Sequence, residues 1–119
     1  MSTNNFTKDA ERIFDMLDNE AESIWQCIEE DTLPDDDDEL YQYFDEGQFN
    51  DVQWINDNCL EANAHDILLA TGGPAYGVSL VSGIPVYWYQ DWFTKKVLRQ
   101  VGSVEFYEYI FSTLEELGV

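Results

Sequence analysis

Glu11, Asp15, Asp18, Glu22 and Glu29 follow one another at steps of four, three, four and seven residues. At about 3.6 residues per helical turn those steps draw one narrow line of carboxylates. Soon after comes the unbroken run Asp35, Asp36, Asp37, Asp38 and Glu39. Carboxylates so arranged can hold a cation or present fixed negative charge to a basic surface. For the first, Asp35, Asp37, Glu39 and Glu46 fall on positions one, three, five and twelve of a calcium-loop template. Leu40, however, stands where the loop needs glycine for its sharp turn. No dedicated metal site is expected, only weak nonspecific cation binding. For the second, the helical line carries one charge per turn of about 5.4 Å, on the scale of the phosphate repeat along a nucleic-acid strand, about 3.4 Å of rise. A groove built for DNA could meet it as a rigid row of anions. Against that, any solvated helix face in so acidic a chain would be acidic.

Other chemistry is weakly signalled. Cys59, His65 and Asp66 lie close in sequence and could form a nucleophilic site, but nothing fixes their geometry and no nucleophile-elbow motif is present. Gly72-Gly73-Pro74 lacks the Gly-Lys-Ser/Thr continuation of a phosphate loop. The stretch Val86 to Phe93 is dense in aromatics and precedes Lys95-Lys96. Base stacking is conceivable there, but the acidic majority opposes it. A strand with Tyr87 and Tyr89 on one face and Trp88 on the other is the simpler reading. No cofactor is implied.

The charge distribution weighs more. The 119 residues hold 25 acids and five Lys or Arg, for a formal net charge of −20. Between Arg12 and Lys95 there is no Lys or Arg at all, while nineteen of the acids lie in that interval. Solubility alone is served by a net charge of about 2–8 in magnitude for a small domain. Such a field repels nucleic acid and anionic membrane and speeds encounter with a positively charged protein. A halophile-like, merely soluble surface is the bland alternative. At 45% hydrophobic and 15% aromatic the chain is too apolar for a disordered tail and can build a core. Cys27 and Cys59 form no Cys-x-x-Cys pair, so two reduced, partly buried thiols are expected. No apolar run approaches the roughly 18 residues of a membrane span, and a cytoplasmic protein is expected.

These residues need elements to position them. From Asn5 to about Glu30, Phe6, Ala10, Ile13, Phe14, Leu17, Ala21, Ile24, Trp25 and Ile28 recur at helical spacing, predicting a long amphipathic helix capped by Asn4 or Asn5. Phe14 and Trp25 border the acidic line and are expected in the core. Pro34 breaks the helix. A short acidic second helix is expected next, with Asp35 to Asp38 as its cap and first turn, Leu40, Tyr43 and Phe44 buried, and Gly47 at its end. Phe49 to Asn58 is ambiguous. His65 to Ala70, Tyr76 to Val81 and Ile84 to Tyr89 read as strands of a meander, with turns at Thr71 to Pro74 and at Ser82-Gly83. Ser103 should cap a last helix to about Leu117, with Phe106, Ile110, Leu114 and Leu117 inside. The expectation is one α+β domain over 1–119: helices at both ends and a small antiparallel sheet of three or four strands.

Ile67 to Ala75, with Tyr89-Gln90-Asp91-Trp92-Phe93, resembles a segment of small uncharacterised proteins carried by bacterial plasmids, phages and integrated elements. That resemblance implies a mobile-element origin and no defined reaction. In size and charge the chain also resembles phage and plasmid anti-restriction and anti-CRISPR proteins that imitate DNA. Together they imply a non-enzymatic inhibitor in a bacterial host cytoplasm. Its expected partner is a basic nucleic-acid-binding protein of a host defence complex, met through Glu11, Asp15, Asp18, Glu22, Glu29 and Asp35 to Glu39. The alternative is an immunity protein or antitoxin that neutralises a basic nuclease toxin.

Overall fold

In a computed structural model the chain is described over residues 2–91 and 96–119, with backbone alone for 2–6. Trp92, Phe93 and Lys95, at the end of the aromatic stretch, lie outside the described residues, as does the Phe6 side chain.

The first helix, α1 (Ser2–Glu30), has 29 residues, about 44 Å at about 1.5 Å per residue. It nearly matches the longest dimension of the molecule, 48 Å. It is already running at Asn4 and Asn5, so neither is its N-cap, and no acid lies in its first turn. Ala10, Phe14, Ala21 and Ile24 are buried and Ile13, Leu17, Trp25 and Ile28 pack against them, the single apolar stripe that the spacing predicts.

The acidic second helix does not form. Asp35 to Asp38 lie in a loop and turn, and only a five-residue 3₁₀ helix, Glu39–Tyr43, follows. Asp38 caps it by accepting from the Leu40 N–H at 2.9 Å. Asp38 has the extended backbone of a cap residue, φ −78° and ψ 138°, so Asp35 to Asp37 fall before the helix rather than in its first turn. Gly47 ends no helix. With Glu46 it makes the turn between β1 (Phe44–Asp45) and β2 (Gln48–Phe49). Both turn residues have positive φ, 53° and 83°, as a tight hairpin turn of this hand requires. The ambiguous segment is a helix, α2 (Asp51–Asn58), with the Asn50 side chain accepting from the Gln53 N–H at 3.1 Å.

The main sheet has five antiparallel strands in sequential order, one more than expected at the upper count. They are β3 (Glu61–Ala62), β4 (Asp66–Ala70), β5 (Ala75–Val81), β6 (Ile84–Gln90) and β7 (Val97–Gln100). The β5–β6 turn falls at Ser82-Gly83, both at positive φ. Ile67, Val78, Tyr87 and Tyr89 are buried on one face, and β4 is buried only at Ile67 rather than throughout. On the other face the Trp88 indole nitrogen lies at Gly77, where any Cβ would also run into the carbonyl of Ile67. Helix α3 (Val104–Leu117) buries Phe106, Tyr107, Ile110, Phe111 and Leu114. Ser103 precedes it without a side-chain capping bond, and Leu117 is 53% exposed rather than internal. The architecture is α+β.

Candidate functional site

Phe14 and Asp18 stand one turn apart on α1 and meet the same residue of the sheet. The Phe14 ring stacks on Tyr87, centroids 5.2 Å apart and planes 8° from parallel. The Tyr87 hydroxyl donates to Asp18 Oδ1 at 2.6 Å. Tyr87 is paired with Arg99 across the β6–β7 ladder, and paired residues project from the same face. Arg99 therefore reaches the same carboxylate. Its Nη2 donates to Asp18 Oδ2 and its Nη1 to Asp15 Oδ1, each at 3.0 Å. The guanidinium carbon sits 5.3 Å from the Phe14 ring centroid, within cation–π range. The Gly102 N–H completes the set, donating to Asp18 Oδ1 at 2.9 Å. A Cβ at residue 102 would come within 2.8 Å of Asp18 Oδ2, so this approach requires glycine.

The predicted line of acids is thus divided in two uses. Glu11, Asp15, Glu22 and Glu29 are exposed on one flank of α1. Asp18, with a side chain 18% exposed against 69% for Asp15, ties α1 to β6, β7 and the start of α3. Arg99 also neutralises part of the line from within the fold.

Asp35, Asp36, Asp37, Asp38 and Glu39 are all exposed. The Asp38 N–H donates to the Asp35 carbonyl at 2.9 Å, forming a turn. The run does not extend the helical line. Glu39 is near enough to Glu20 for its charge to raise the Glu20 pKa, and Glu20 stands roughly 200° around α1 from both Asp18 and Glu22. Glu39, at the end of the run, therefore lies toward a different side of the helix from the exposed line.

Glu20 is the residue that sequence reasoning missed on that second side. Burial is the main cause holding its pKa above the ordinary 4.5; the hydrogen bond from Trp54 partly offsets it, and Glu39 adds to it. Trp54 Nε1 donates to Glu20 Oε2 at 3.2 Å. Tyr87, Tyr107 and Cys59 are also pushed upward, in each case chiefly by burial, Cys59 to about 12. Nothing in sequence spacing foretells these pairings, since Asp18 and Tyr87 are 69 residues apart.

Cys59, with its thiol held neutral, is poorly suited to nucleophilic attack. Asp66 accepts from the Ser79 hydroxyl, and His65 is exposed in the turn before β4. Among the described residues no side-chain hydrogen bond joins the three. Among the described residues, too, no group of three or more His, Cys, Asp or Glu side chains could hold a metal ion, and no helix is long and apolar enough to cross a membrane. Comparison with protein-family models, with curated proteins and with solved structures finds no match for the chain.

Proposed function

We propose that this protein is a non-enzymatic, polyanionic inhibitor that occupies the Lys/Arg-lined DNA site of a bacterial defence complex. A CRISPR effector is the first target and a restriction enzyme the second. The observation that carries the reading is the exposed row Glu11, Asp15, Glu22 and Glu29 on one flank of a 29-residue helix. From Glu11 to Glu29 the row spans about 27 Å, the rise of roughly eight phosphates along one strand of duplex DNA. A rigid helix holds these charges at fixed separations, so a basic groove meets them without ordering a flexible segment. The net charge of −20 adds long-range attraction that speeds encounter.

The test is competition between this protein and target DNA for purified effector complexes and restriction enzymes at low and at high salt. The triple variant Glu11→Lys, Glu22→Lys, Glu29→Lys should lose binding while keeping its circular dichroism spectrum. Asp18 is spared because its carboxylate serves the fold. Failure of the protein to compete at low salt, or full competition by the triple variant, sinks the proposal.

A further inference from the structure

A second surface faces away from the exposed row. Between α1, α2 and the β4–β5 part of the sheet lies a cavity of about 230 Å³, walled by Met16, Leu17, Trp54 and Tyr76 and edged by Glu20 and Asp57. Sites for drug-sized ligands enclose about 300–1,000 Å³, so this one suits a single extended side chain. Its exposed lining is more polar than apolar, and two carboxylates, Glu20 and Asp57, stand in it beside the Trp54 and Tyr76 rings. Glu20 is partly buried and accepts a hydrogen bond from Trp54 Nε1. Among the described residues no Lys or Arg lies within ion-pair distance of Glu20 or Asp57. A half-desolvated carboxylate without a counterion is an unfavourable arrangement that an entering cation relieves.

We propose that this cleft seats one arginine side chain projecting from a basic partner protein. The aliphatic stem of the arginine lies against Met16 and Leu17, and its guanidinium pairs with Glu20 and Asp57 beside the Trp54 and Tyr76 rings. Arginine fits better than lysine. Its planar head is more weakly hydrated, pairs with carboxylates through two parallel N–H donors, and stacks on aromatic faces. Burial of Glu20, which raises its pKa, favours the same outcome, since pairing returns the stabilisation that water no longer supplies. The proposal rests on the reading above only for the source of the arginine. The acid line on the far flank would supply reach along a groove, and the cleft would supply a fixed anchor point.

The test uses the isolated protein, so its failure is distinct from failure of the DNA-competition experiment. Proton–nitrogen spectra are recorded while n-butylguanidinium is added to tens of millimolar, and again with n-butylammonium. The expected result is a saturable shift of the Trp54 indole N–H, with the guanidinium bound more tightly than the ammonium. Glu20→Gln should weaken that binding about tenfold, the effect of losing one charged partner, while Glu22→Gln leaves it unchanged. The amide that Glu20→Gln introduces can still accept from Trp54 Nε1, so the cleft keeps its shape. Should that variant fail to fold, Asp57→Asn on the exposed rim gives the second reading, with weakened binding expected. Absence of saturation, equal affinity for the ammonium, or unaltered binding in Glu20→Gln and Asp57→Asn overturns the proposal.

Discussion

Asp18 is an acid among neighbours that look identical to it in sequence, and the fold treats it differently. Its two oxygens accept from the Tyr87 hydroxyl, the Gly102 N–H and Arg99 Nη2. Removing such an acceptor leaves the Tyr87 hydroxyl only its longer bond to the Tyr107 hydroxyl, 3.2 Å, and Arg99 only Asp15, at a cost of about 1–3 kcal/mol per group left unsatisfied. Asp18→Ala should therefore lower the thermal midpoint by several degrees. Asp15→Ala, which removes one exposed ion pair, should change it little. Gly102→Ala should resemble the Asp18 variant, because the added methyl meets the carboxylate and overpacking of this kind costs about 1–3 kcal/mol. Thermal melts of the three variants check this, and equal midpoints for Asp18→Ala and Asp15→Ala would sink it. The sequence makes the line of acids legible through its spacing. It leaves Asp18 indistinguishable from Asp15, because the difference comes from residues that the fold, not the chain order, brings near. One local hint exists: Asp18 follows Phe14 by four residues, at the margin of the apolar stripe.

At the scale of elements, α1 and α3 were legible from their helical period, β6 from its alternation, and β4 from a short apolar run ended by a Gly-Pro turn. The misread parts are short. Val97–Gln100 holds only four residues, and nothing in the order of the chain brings its Arg99 to Tyr87 and Asp18. Asn50 before Asp51 and the three-residue step from Val52 to Ile55 are a usable helix-start signal, masked by the strand-like Val52-x-Trp54 alternation. The Asp run misled in the other direction, since only Asp38 serves as a cap and Asp35 begins the turn before it. β7 is pinned to α1 by the fork of one guanidinium on two carboxylates, which a lysine ammonium does not reproduce. Arg99→Lys should therefore loosen β7 selectively. Amide exchange in Val97 to Gln100 should quicken well beyond that in Val78 and Tyr87, and uniform exchange across the sheet would contradict the pinning.

For the whole molecule, composition already sets the sign and size of the field and the small number of cations that oppose it. Its response to alkali follows from groups buried in neutral form. Cys59 has an ordinary pKa of 9.0 and is raised to about 12, and Tyr87 and Tyr107 are raised from 10.0. A raised value means that the folded state binds the proton more tightly than the unfolded chain. The stabilisation is then complete below the unfolded values and is lost as pH rises. Melting temperature should fall from about pH 9 upward, first through Cys59 and then, beyond about pH 10, through the tyrosines. Cys59→Ala should remove the earliest part of that fall. Melts between about pH 7 and pH 11 check the sign, and a midpoint that holds steady across that range would refute it.

The partners of Asp18 also set a schedule for folding in the cell. Arg99 lies 81 residues beyond it and Gly102 lies 84 beyond. A ribosome adding roughly 5–20 residues per second needs about 4–17 s to deliver that stretch once Asp18 has been made. Tyr87, on which Phe14 stacks, is made 69 residues after Asp18, and until Arg99 follows it the carboxylate lacks its guanidinium partner. Helix α1 is thus made well before the residues that secure it. A nascent chain arrested before Arg99 should be readily digested by protease, whereas the released protein resists.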